Sequence, residues 1–315
     1  MPLPTNKNDF LKALDTHAHG GVELAIHLYK RILCNAPGHL KVLGPMATGL
    51  AQLGNPSGAL PWFERAKVSE AGFTDTASNH VTALFALGNN NRALMVARSA
   101  MILQPVASLN YANLGKAKIA LGQNDRGLEN LRKALLLEPL RADLHSSIAE
   151  VNLRCGLYER AMTSVMQAVA IDPLSGLQDT LLGRIQQKIG DDRVATISLE
   201  RSLHLNPFNA EARSLLGEYH YAQKRFPDAQ RLFLHAILLA PCSFKPGLGL
   251  ARCLIEEGEL EGALPWTGRA LKLAPRSPAI RSLRAQTLIS AQCYPEALLE
   301  LHNFITLLPL SLIHI

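Results

Sequence analysis

The chain has 315 residues, 48% of them hydrophobic, 5% aromatic and 18% charged, with a formal net charge of +6. An apolar share of that size with both charge signs intermixed excludes a disordered or collagen-like chain, and no run approaches the roughly 18 apolar residues of a membrane-spanning helix. Five cysteines, at 34, 155, 242, 253 and 293, form no C-x-x-C pair and are odd in number, which excludes a disulfide framework and points to a reducing, cytoplasmic setting.

Along the chain the start, residues 1–5, reads as a short leader without the charged start and apolar run of a secretory signal. Asn6, Lys7, Asn8, Asp9 and Lys12 then make the first predicted helix polar, as the end of a stack requires. From there prolines recur at 37, 105, 139, 173, 207, 241, 275 and 309, spaced by 34 residues except for one skipped position, which Ala71 occupies. The register divides the chain into nine units without insertion: 6–39, 40–73, 74–107, 108–141, 142–175, 176–209, 210–243, 244–277 and 278–311. Within a unit, position 20 is alanine or glycine throughout, from Ala25 through Gly127 to Ala297. Position 8 is almost as restricted (Ala13, Gly115, Gly183, Gly217), and position 27 is alanine or serine in seven of nine units. Small side chains at fixed spacing let helix axes approach to the short end of the usual range of about 8–10 Å.

Apolar residues between these columns, such as Leu128, Leu131 and Leu135, follow helical spacing. Two helices per unit follow, separated near position 15, where Gly20, Gly54, Gly88, Gly122, Gly156, Gly190 and Gly258 suit a left-handed turn. The proline at position 32 stops the second helix. Prolines at position 22 are expected in the first turns of that helix, where a missing amide costs least. One such segment, Gly58-Ala59-Leu60-Pro61-Trp62, recurs as Gly262-Ala263-Leu264-Pro265-Trp266 and suggests common descent of the units. At the far end, residues 310–315 are expected to be a non-native tail, because Leu-Ser-Leu-Ile-His-Ile resembles the translation of a transposase end sequence used in library preparation. On that expectation the chain is an N-terminal fragment of a longer protein.

A 34-residue helix-turn-helix period with these columns resembles the tetratricopeptide-repeat family. The likeness rests on positions 7 and 8 (Leu114-Gly115, Leu182-Gly183, Leu216-Gly217), 20, 27 and 32. It departs at position 4, where Tyr111, His145 or Arg213 replaces the family tryptophan, and at position 11, where Lys118, Asn152 or His220 replaces a tyrosine. The resemblance implies an all-α, right-handed superhelical solenoid of nine repeats that binds protein or peptide in the groove lined by the first helices.

Within that groove, position 5 carries no lysine, so a carboxylate clamp for a chaperone tail is not expected; position 6 offers only Asn79 and Asn113, too few for an asparagine ladder. Position 9 reads Lys116, Glu150, Arg184, Glu218, Arg252 and Gln286 from the fourth unit on. Alternating signs on adjacent helices can pair with one another or recognise a polar partner segment. The candidate partner-binding residues are Thr82, Asn113, Lys116, Glu150, Arg184, Glu218, Tyr221 and Arg252. Small polar neighbours such as Ser78, Ser146, Thr180 and Ser214 leave room for a ligand chain.

No catalytic, cofactor or metal constellation emerges. His17 and His19, two residues apart on a helix, point about 200° from one another and cannot chelate one ion. Gly247-Leu248-Gly249 lies within a predicted helix with no strand before it, so it is no nucleotide-binding turn. The most basic unit, the fourth, mixes Lys116, Lys118, Arg126, Arg132, Lys133 and Arg141 with Asp125, Glu129 and Glu138, which argues against a nucleic-acid stripe. The expected function is a non-enzymatic scaffold for protein or peptide partners. The alternative is a substrate-recruiting or dimerising arm of an enzyme whose sulfotransferase, glycosyltransferase or iron/2-oxoglutarate oxygenase domain is missing from the chain.

Overall fold

A computed structural model describes residues 7–67 and 70–305, with backbone alone at 7, 67 and 70–75; the leader 1–5 and the tail 310–315 lie outside the described residues. Those residues form eighteen α-helices and no strand. The helices gather into two compact units, Met1–Cys155 and Gly156–Ile315. The first contains α1 (Lys7–Ala18), α2 (Val22–Asn35), α3 (Leu40–Gln52), α4 (Pro56–Lys67), α5 (Glu70–Ala86), α6 (Asn90–Leu103), α7 (Ser108–Ala120), α8 (Asn124–Leu137) and α9 (Ala142–Arg154). The second contains α10 (Tyr158–Ile171), α11 (Gly176–Ile189), α12 (Asp192–Leu205), α13 (Ala210–Ala222), α14 (Phe226–Leu239), α15 (Phe244–Glu256), α16 (Leu260–Leu273), α17 (Pro278–Ser290) and α18 (Tyr294–Ile305). In both units helices pack as hairpins, α7 on α8 and α11 on α12 for example, and each hairpin packs on the next.

The turn inside each hairpin is set by one left-handed residue at position 15. All seven glycines of that column have positive φ, between 70° and 93°, and the two repeats without glycine place Lys224 (φ 57°) and Gln292 (φ 61°) there instead. The register therefore dictates the backbone even where the residue does not favour it. Between hairpins the proline sets the stop. Each following first helix begins three residues after its proline, at Leu40, Ser108, Ala142, Gly176, Ala210, Phe244 and Pro278. Where Ala71 stands in for the proline, nothing forbids helix, and α5 starts early, at Glu70. Pro61 and Pro265 do not lie in the first turn of their helices as expected: each is the sixth residue of its helix, where its ring removes one i to i−4 bond.

The proline carbonyls have a recurring partner. His145, Arg213 and Arg281, at position 4 of the following helix, approach or donate to the carbonyls of Pro139, Pro207 and Pro275 at 3.2, 2.7 and 3.0 Å. Where position 4 is Leu43, Asp179 or Gly247, an arginine at position 26 replaces them, with Arg65, Arg201 and Arg269 donating to Pro37, Pro173 and Pro241 at 3.4, 2.9 and 3.1 Å. The repeated Gly-Ala-Leu-Pro-Trp segment belongs to this device: Arg65 stacks over Trp62 at 5.1 Å and Arg269 over Trp266 at 5.8 Å, each three residues on.

Packing follows the small-residue columns. Ala13, Ala25, Ala59, Ala149, Ala161 and Ala195 are fully buried. A Cβ on Gly115 would stand 2.9 Å from the Gly127 carbonyl oxygen, so the α7–α8 axes meet there as closely as backbone permits. Phe233 on α14 is fully buried between Gly217 on α13 and Gly249 on α15, whose absent side chains make the space for its ring. Burial of each such large apolar side chain contributes on the order of 1.5–3 kcal/mol. Ser202 at position 27 carries a polar knot instead: its hydroxyl donates to the Gly176 carbonyl at 2.7 Å, meets Thr180 Oγ1 at 2.7 Å and receives Asn209 Nδ2 at 3.0 Å. In the last hairpin Glu300 holds Arg281 at 2.8 Å and Arg284 at 3.4 Å, a largely buried triad.

Candidate partner-binding grooves

The first helices pack side by side within each unit, α1, α3, α5, α7 and α9 in the first and α11, α13 and α15 in the second. In the first unit a cavity of about 460 Å³ opens between α3 and α5. Thr48, Gln52, Asn79 and Thr82 supply its polar lining, and Ala51, Ala83, Ala86 and Pro56 its apolar part. No charged side chain lines it. Asn79 Nδ2 donates to Thr48 Oγ1 at 3.1 Å, and Thr82 Oγ1 donates to the Ser78 carbonyl at 3.0 Å. One repeat further on, Asn113 occupies the register of Asn79; it is 6% exposed and its amide nitrogen has no hydrogen-bond partner.

The charged candidates sort by reach. Lys116 lies 3.8 Å from Asp143 and Arg184 2.7 Å from Glu211, each an acid at position 2 of the next repeat. Arg252 has Ala279 at that place, and it turns back to Glu218 at 3.6 Å. A position-9 to position-9 pairing of the kind expected from the alternating signs is formed by Glu218 and Arg252, and Lys116 and Arg184 also meet acids that sequence reasoning passed over. The signal was present in the column at position 2. Burial pushes the Glu218 carboxyl above the usual carboxylate range, with Arg252 opposing. Tyr221 donates to Glu256 Oε1 at 3.4 Å, and its phenol is raised by burial first and by Glu256 second. Glu150 is exposed on α9. Thr82, Asn113, Lys116 and Glu150 therefore belong to the first unit, and Arg184, Glu218, Tyr221 and Arg252 to the second.

Thr180, expected in the groove, is buried in the Ser202 knot and offers nothing to a ligand. Asp179, beside it, is 2% exposed and 3.4 Å from Arg201; burial raises its carboxyl, with Arg201 opposing. His17 bridges Tyr29 at 3.2 Å and Gln52 at 2.7 Å, tying the first hairpin to the second. Burial lifts the Tyr29 phenol to about 12. Among the described residues no three His, Cys, Asp or Glu side chains gather to hold a metal ion, and no helix is long and apolar enough to cross a membrane.

An array of helical hairpins closed through small-residue columns defines the chain as a helical repeat protein. The tetratricopeptide-repeat family model matches residues 112–175 and 180–241 of the chain. No curated protein matches it in sequence. Among solved structures it is similar to a chain of the APC/C hetero-tetramer Cut9–Hcn1, with a TM-score of 0.72 at 15% identity, over 98% of this chain and 61% of that one. It is also similar to PilF of Pseudomonas aeruginosa, with a TM-score of 0.57 at 17% identity, over 69% of this chain and 99% of that one. The chain therefore spans about three fifths of the first of these relatives.

Proposed function

We propose that this protein is a non-enzymatic, cytoplasmic scaffold that holds a segment of a partner protein along its first helices. The cavity between α3 and α5 carries the reading: it has the volume for a ligand side chain and an uncharged lining. In the second unit, the ion-paired face around Glu218 and Arg252 suits a polar or mixed-charge segment. The similar Cut9–Hcn1 chain sits in a hetero-tetramer, an assembly of protein subunits, and a role in holding protein partners fits that likeness.

A peptide array probed with the purified chain tests this. Thr82→Lys places bulk and charge in the cavity and is expected to weaken uncharged peptides by about tenfold or more, with helicity by circular dichroism unchanged. Glu218→Lys confronts Arg252 with a like charge and is expected to weaken mixed-charge peptides instead. Peptide binding indifferent to both substitutions overturns the reading.

A further inference from the structure

A second surface lies on the second helices of the third and fourth repeats, away from the cavity. On α6, Met95, Arg98 and Ile102 share one stripe at i, i+3 and i+7; on α8, Arg132 and Leu136 occupy the repeat positions of Arg98 and Ile102. Met95 is 64% exposed, Ile102 80% and Leu136 82%. Val106 and Leu140, in the turns that follow each helix, are 75% and 81% exposed. Arg98 and Arg132 are exposed as well.

Between the two helices lies α7, packed on both, and its Lys118 adds a further cation. Burial holds the Lys118 ammonium below the ordinary lysine range; Arg98, Arg126 and Lys133 add to that and Glu129 opposes it. The nearby acids are already engaged, Glu129 by Lys133 at 2.8 Å and Glu138 by Arg141 at 3.3 Å. The surface thus joins surplus positive charge to aliphatic side chains that protrude into water at two equivalent places. Single exposed aliphatic residues are ordinary, but a repeated set beside clustered cations marks a contact surface.

We propose that the α6–α8 face docks an acidic amphipathic helix of a partner protein. Charge complementarity specifies the acid, and the aliphatic rows specify the apolar stripe. On both helices cation and aliphatic residue lie one turn apart, and a helix laid along them advances by the same pitch of about 5.4 Å per turn, so carboxylates and leucines one turn apart meet both rows. Neither stripe carries a tryptophan, tyrosine or phenylalanine, the side chains that anchor a protein at a lipid interface or stack on bases.

The test uses the full chain and a synthetic helical peptide with leucines on one stripe and glutamates elsewhere, its scrambled isomer, and vesicles containing phosphatidylserine. Fluorescence anisotropy is expected to show saturable binding of the amphipathic peptide, weakened about tenfold in Arg98→Glu/Arg132→Glu and about tenfold in Ile102→Ser/Leu136→Ser. The scrambled isomer is expected to bind at least about tenfold more weakly. Thr82→Lys, in the separate cavity, is expected to leave this binding unchanged. Equal binding of the scrambled isomer, retention of binding in either double variant of unchanged helicity, or binding of vesicles without the peptide overturns the proposal.

Discussion

Lys224 and Gln292 hold the left-handed conformation that glycine holds at the other seven hairpin turns. For an L-residue with a Cβ this conformation costs on the order of 1–2 kcal/mol. Nothing near the turn glycines would meet an added Cβ, since Gly20, Gly54, Gly88 and Gly122 have open space around them, so the cost is in the backbone alone. Lys224→Gly is therefore expected to raise unfolding stability by about 1 kcal/mol, and Lys224→Ala to give no gain, both read from urea melts. A glycine variant no more stable than the alanine variant would show that the turn carries no strain. This turn was legible from spacing, even in the two repeats where residue type argues against it. The groove residues were legible less completely, because a column of alternating charges names the ions and not their partners. Lys116 and Arg184 reach forward to Asp143 and Glu211, and Arg252, with Ala279 at the equivalent place, turns back to Glu218.

At the scale of the hairpin, the departures from the family pattern at position 4 acquire a cause. Each column taken alone looks like lost consensus: His145, Arg213 and Arg281 at position 4, or Arg65, Arg201 and Arg269 at position 26. Together they divide one task, donating to the carbonyl of the proline that ends the previous helix, and no repeat in which that bond forms uses both. The pairing could not be seen in the sequence because 22 residues separate the two positions, and only folding brings them to the same turn. Removing a donor loses that hydrogen bond, at a cost of about 1 kcal/mol. Arg213→Ala is expected to destabilise by that amount in thermal melts. His235 stands at position 26 of the same repeat, and adding His235→Arg to Arg213→Ala should restore the loss. A double variant as unstable as the single one would mean that the two positions are not interchangeable.

For the molecule as a whole, the sequence period anticipates eighteen helices in nine hairpins, yet it carries no mark of the division into Met1–Cys155 and Gly156–Ile315. Cys155 and Gly156 occupy positions 14 and 15 like the equivalent residues of any other repeat, and neither composition nor spacing changes across them. The division arises from packing in three dimensions, which a one-dimensional register does not encode. The same architecture makes damage local, because within each unit the described hairpins pack on their neighbours and stability is close to a sum of repeat and interface contributions. Gly217→Val tests this at a close contact of the second unit. Its Cβ alone would stand 2.7 Å from Phe233 Cε1, and Phe233 has no way to retreat, since Gly249 already receives its other side. The substitution is expected to cost roughly 1–3 kcal/mol by overpacking. In hydrogen exchange, protection should fall in α13 to α16 and remain at its parental level in α1 to α4. A loss spread evenly over all eighteen helices would show instead that the array unfolds as one cooperative body, and the nearest-neighbour description would fail.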